Sequence, residues 1–170
     1  TEALVPPVEV RARDLLLDYF GVLIGGSAES AGKQAGNYAR LSTADESSVF
    51  FAGCSTAPLA ALANGIAAHA LELDDVTNES SLHPGVVVWP SAMAAVERAP
   101  GTLGDLLVAG LAGYEVVMRV GEAFNAESLY ARGFHPTGVA GAIGSAAAVA
   151  NVIGLDADRT QHALGLVGSM

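Results

Sequence analysis

A chain of 170 residues is long enough for one domain, and it buries about two-thirds of the surface that its unfolded form exposes. Hydrophobic residues make up 51% and charged residues only 15%, against roughly 25% charged in an ordinary soluble domain, so a partner subunit or further polypeptide is expected to cover part of the surface. The net charge of −10, with one lysine (Lys33) and seven arginines, excludes a basic stripe able to neutralise a phosphate backbone, and no nucleic-acid partner is expected.

The first element follows from Val8, Ala12, Leu15, Leu16, Tyr19, Phe20 and Leu23, apolar at three- and four-residue steps with charges between them: an amphipathic helix. Pro6-Pro7 suits its start and Gly25-Gly26 its end. A weaker helix is expected over about 29–41. The segment 48–54 is the only one with strand character, and its isolation argues against a sheet. Within it Cys54 is the one cysteine, which excludes an intrachain disulfide and a cysteine-based zinc cluster and suits a reducing compartment. No basic, apolar and small-residue series of a signal peptide opens the chain, so a cytoplasmic location is expected.

A helix is predicted over 55–76, since Ser55-Thr56-Ala57-Pro58 supplies a cap and an early proline, and Ala, Leu and Ile follow. On this reading Glu72, Asp74 and Asp75 sit in its last turn, where negative charge opposes the helix dipole. Further helices are predicted over about 84–98, 102–127 and 136–153, the second opened by a capping box at Thr102 and Asp105. A last one starts at Asp156. The uncharged run 137–155 is mostly Gly and Ala, which makes it a buried helix and not a membrane span. Gly138, Gly141 and Gly144 bare one face of that helix. Close packing explains them better than phosphate binding does, because no strand precedes them. The expected fold is all-α, a bundle of about six helices forming a single domain over residues 1–170. The chain stops without a polar tail, and it is expected to be the N-terminal part of a larger protein.

Two sets of residues could carry chemistry. His83-Pro84 and His135-Pro136 each place an imidazole at a predicted helix start, where free backbone N–H groups and the positive dipole end attract a carboxylate and favour a neutral imidazole able to act as acid or base. His69, Glu72 and Asp75 share a face if the preceding helix runs through them. They could orient a histidine or hold substrate hydroxyls, or they could be a solvated helix end. Metal readings compete. Asp74-Asp75 with Glu79 is similar to the acidic helix of isoprenoid synthases, but there is no second acidic motif and aromatic content is 6%. Zinc or iron could bind histidines and carboxylates, but the intervals here are long and irregular. No metal and no cofactor are expected.

The words Ala61-Leu-Ala-Asn64-Gly65-Ile-Ala-Ala-His69-Ala-Leu-Glu72-Leu-Asp74-Asp75, Leu82-His83-Pro84-Gly85, Gly113-Tyr114-Glu115-Val116, Arg132-Gly133-Phe134-His135-Pro136-Thr137 and His162-Ala-Leu-Gly165, in this order, resemble the MmgE/PrpD family over about residues 8–170. The resemblance implies a helical domain with a smaller lid domain, a homodimer, and a site between the domains. Its members include 2-methylcitrate dehydratase, cis-aconitate decarboxylase and an iminodisuccinate epimerase. By this resemblance His83 and His135 are the catalytic histidines, with Glu72 at a third catalytic position. Asp75, Arg132 and His69 are expected to bind substrate. Lysines and a tyrosine of the family lie outside the part that resembles this chain. Two departures leave the substrate open: Glu72 stands where relatives have aspartate, and Val76 where several have threonine. The implied function is that of a metal-free hydro-lyase. It would remove a proton beside a carboxylate of a small hydroxy-polycarboxylic acid such as 2-methylcitrate and expel hydroxide. Decarboxylation, epimerisation and a non-catalytic binding or scaffold module are the alternatives. This fragment alone is expected to be inactive.

Overall fold

The computed structural model describes residues 4–170, and the described residues form eight helices and one short hairpin: α1 (Pro6–Ser27), α2 (Ser30–Ala39), β1 (Ser47–Val49), β2 (Gly53–Ser55), α3 (Ala57–His69), α4 (Gly85–Arg98), α5 (Leu103–Ala123), α6 (Ala126–Ala131), α7 (Pro136–Val152) and α8 (Ala157–Val167). The all-α class holds. α1 starts at its proline pair and buries Ala12, Leu16, Tyr19 and Leu23, the stripe that the periodicity predicted. It ends against α3, where a Cβ on Gly26 would stand 1.8 Å from the carbonyl oxygen of Ala67. Only glycine allows that crossing.

Three expectations need correction. The segment 48–54 does form a sheet, because it folds back on itself: Ser47 pairs with Ser55, Ser48 with Cys54 and Val49 with Gly53. Phe51 (φ 57°) and Gly53 (φ 98°) turn the chain in left-handed conformations. Buried Asn64 on α3 holds the hairpin, accepting from the Phe50 amide at 3.0 Å and donating to the Ser48 carbonyl at 2.9 Å. The predicted helix over 55–76 stops at His69. Glu72, at φ 49°, reverses the chain and sends Asp74 inward, so the acidic residues lie in a loop and not on a helix end. The predicted helix over 102–127 breaks at Phe124 (ψ 147°), and Asn125 caps the separate α6 through the Ser128 amide.

The predicted caps of α5, α7 and α8 are present. Thr102 and Asp105 form the reciprocal box, Pro136 is the first residue of α7, and Asp156 accepts from the Arg159 amide. α5 and α7 pack closely: a Cβ on Gly144 would lie 2.6 Å from Val117 Cβ and 3.0 Å from the Gly113 carbonyl, and one on Gly141 would lie 2.9 Å from Val87. The third glycine of the stripe, Gly138, meets nothing within 4 Å and faces a cavity instead. Trp89 of α4 is fully buried at the centre of the core.

Candidate active site

The site is built where the loop 70–84 returns from α3 to α4. Thr77 and Leu82 bridge across this loop, with the Thr77 amide donating to the Leu82 carbonyl at 2.8 Å. Fully buried Leu82 anchors its far end, so His83 and Pro84 arrive at the start of α4 at a set height. Thr137 in the first turn of α7 accepts from the His83 amide at 3.1 Å. One hydrogen bond therefore ties the two His-Pro helix starts together.

Asp74 lies beneath the histidines with no exposed side-chain surface. Its Oδ1 and Oδ2 are 3.0 and 3.1 Å from His69 Nδ1, and Oδ2 is 2.9 Å from His83 Nδ1. The ring centroids of His69 and His83 are 4.8 Å apart, those of His69 and His135 6.4 Å, and those of His135 and Tyr130 5.8 Å. Three imidazoles thus form a row with His69 in the middle. The ligand atoms of His69, Asp74 and His83 lie within 4.8 Å of one another, a spacing that a divalent ion could use. The nitrogen–oxygen distances are those of direct hydrogen bonds.

The row opens on a cavity of about 540 Å³ between α3, α4 and α7, with His69 and His135 among its lining. The walls are largely apolar, formed by Ile66, Val86, Val87, Pro90 and Ala142 with Gly65, Gly138 and Gly141, and no lysine or arginine is in the lining. His69, His135, Thr137, Ser91 and Ser145 supply its polar side chains, a small number of polar groups in an apolar lining as in many small-molecule sites.

The predicted site residues Asp75, Glu72 and Arg132 are, like His83, not among the cavity lining. Asp75 points into the protein: its Oδ1 accepts from the Gly85 amide at 2.9 Å and its Oδ2 from the Tyr114 hydroxyl at 2.7 Å, which in turn accepts from Trp89 Nε1 at 3.1 Å. This chain pins the first turn of α4 to α5. Burial raises the Asp75 carboxyl above its ordinary value, and the bonds from Tyr114 and Gly85 oppose that shift. Burial, then the charge of Asp75, pushes the Tyr114 hydroxyl up as well. Glu72 is exposed, and its side chain bonds to none of the described residues. Arg132 is exposed at the end of α6, its guanidinium 5.4 Å from the Phe134 ring centroid. The residue that a helical reading missed is Asp74, five positions from His69, because a helix extended through 76 pairs His69 with Glu72.

The domain thus gathers histidines from three segments into one row, and two of them, His69 and His135, line an apolar cavity. The chain belongs to the MmgE/PrpD family: it matches the MmgE/PrpD N-terminal domain over residues 1–170. It is 30% identical to human cis-aconitate decarboxylase over 166 residues, covering 94% of this chain and 34% of that protein. It is 38% identical to the cis-aconitate decarboxylase-like protein oryM of Aspergillus oryzae over 114 residues, covering 63% and 24% respectively, and 34% identical to the cis-aconitate decarboxylase of Aspergillus terreus over 112 residues, covering 63% and 23%. The chain therefore spans about a quarter to a third of the length of these relatives. None of the described helices is long and apolar enough to cross a membrane.

Proposed function

We propose that the chain is the N-terminal helical part of a lyase that acts on small polycarboxylic acids, with His83 and His135 exchanging a proton with a carbon beside a carboxylate. The observation that carries this reading is the row of three imidazoles, two of which, His69 and His135, line the cavity between α3, α4 and α7. Backbone N–H groups in the first turn of α7 would hold a substrate carboxylate, since the Gly85 amide at the start of α4 is already bonded to Asp75, and the rings would move the proton.

The sequence expectation was dehydration, and the names of the relatives favour decarboxylation. Both develop negative charge on a carbon of the acid, by different bond cleavages. In dehydration an imidazole removes the proton beside a carboxylate, and the β-hydroxyl leaves as water with a proton from a second imidazole. In decarboxylation the C–C bond to a carboxylate breaks, CO2 departs, and the electron pair left on carbon is delocalised into the remaining unsaturated acid until an imidazolium protonates it. Electrostatic stabilisation of that developing charge needs more cations than this chain supplies, which agrees with lysines contributed from outside the matched region. Glu72, Asp75 and Arg132 take no direct part on this reading; Asp75 supports the start of α4. The working enzyme is a cytoplasmic homodimer with a lid domain and uses no metal.

The test is turnover by the full-length gene product with cis-aconitate and 2-methylcitrate, read by ultraviolet absorbance of the alkene and by release of CO2. His83→Ala and His135→Ala should each lower kcat by about a hundredfold or more. Normal turnover by both variants would defeat the reading.

A further inference from the structure

We propose that Asp74 is the positioning residue of the site, a single buried carboxylate that fixes the tautomer of two histidines at once; this rests on the lyase reading above. Asp74 is fully buried and its only side-chain partners among the described residues are His69 Nδ1 and His83 Nδ1, at 2.9 to 3.1 Å. An ionised carboxylate only accepts hydrogen bonds. Both Nδ1 atoms must therefore carry the proton in order to bond to it. Each ring then presents a bare Nε2, and both rings keep partial exposure, 33% for His69 and 22% for His83. A carboxylate behind an imidazole sets its tautomer and its orientation. Here one carboxylate does so for a pair whose rings stand 4.8 Å apart, so His69, which lines the cavity, is held in the same form as His83.

Asparagine is the discriminating substitution. Asp74→Asn keeps the shape but offers one acceptor and one donor, so one of the two rings must turn its Nδ1 into an acceptor and move its proton to Nε2. A wrong tautomer behind an intact geometry costs kcat while leaving binding almost alone. In the full-length protein labelled with 15N-histidine, the wild type should show His69 and His83 as Nδ1–H tautomers. Asp74→Asn should convert one of them to Nε2–H, lower kcat by about a hundredfold or more, change KM less than threefold, and melt near the wild type. Asp74→Glu, which keeps a carboxylate, should retain more turnover than Asp74→Asn. Two results overturn the proposal: an Nε2–H signal from either ring in the wild type, or Asp74→Asn turnover within threefold of it. The tautomer spectrum needs neither activity nor a variant that folds, so it also separates a failure of this inference from a failure of the lyase reading.

Discussion

The glycine stripe of α7 offers a comparison in which one helix and one type of substitution should give opposite signs. A methyl added at Gly144 would stand 2.6 Å from Val117 Cβ, 3.0 Å from the Gly113 carbonyl oxygen and 3.3 Å from Val117 Cα. Two of these neighbours are backbone atoms of α5, so relief requires the two helices to separate. Overpacking of this kind costs about 1–3 kcal/mol, and the better helix propensity of alanine returns roughly 1 kcal/mol. Because little at the contact can yield, Gly144→Ala should destabilise by about 1–2 kcal/mol, a fall in melting temperature of about 2–4 °C per kcal/mol in a domain of this size. At Gly138 a Cβ meets nothing within 4 Å, so Gly138→Ala keeps the propensity gain and should be neutral or stabilising by up to about 1 kcal/mol. Thermal and urea unfolding of the two variants beside the wild type decides the matter. A Gly144→Ala protein as stable as Gly138→Ala would refute the close-packing account of the stripe.

Asp75 gives a pH dependence of definite sign. Burial raises its carboxyl in the folded protein, so the native state holds the proton over a pH range in which the unfolded chain has released it. Its contribution to stability is complete below the unfolded value and is lost as pH rises through the folded one; Asp75→Asn should flatten the stability profile just above the ordinary carboxylate range, and an unchanged slope by urea titration at several pH values would contradict this. Tyr19 buries a hydroxyl with no hydrogen-bond partner among the described residues, and burial, then the charge of Glu97, pushes that hydroxyl up. Tyr19→Phe removes an unpaired buried group whose desolvation costs about 1–3 kcal/mol, so the variant should unfold at equal or higher denaturant; a loss of more than about 1 kcal/mol would mean that the hydroxyl has a partner in solution.

The site separates into parts that local sequence announces and parts that it does not. Proline after each of His83 and His135 predicts two imidazoles at helix starts, and both are there, with His135 capping α7 and His83 one residue before the cap of α4. The end of α3 was not legible. Ala70, Leu71 and Glu72 are good helix formers, and nothing among them says that the helix stops at His69. It stops because burying Asp74 against two imidazoles requires the chain to reverse at Glu72 in a left-handed conformation. No propensity encodes that exchange. The same limit hid the role of Asp75, whose partners Gly85 and Tyr114 are 10 and 39 residues away.

By itself, then, the sequence determined the all-helical class, most helix starts and the family, since periodicity, caps and ordered motifs are properties of neighbouring residues. Tertiary structure alone decided which carboxylate stands behind the histidines, because a hydrogen bond across a reversing loop is chosen by what must be buried together and not by spacing along a helix.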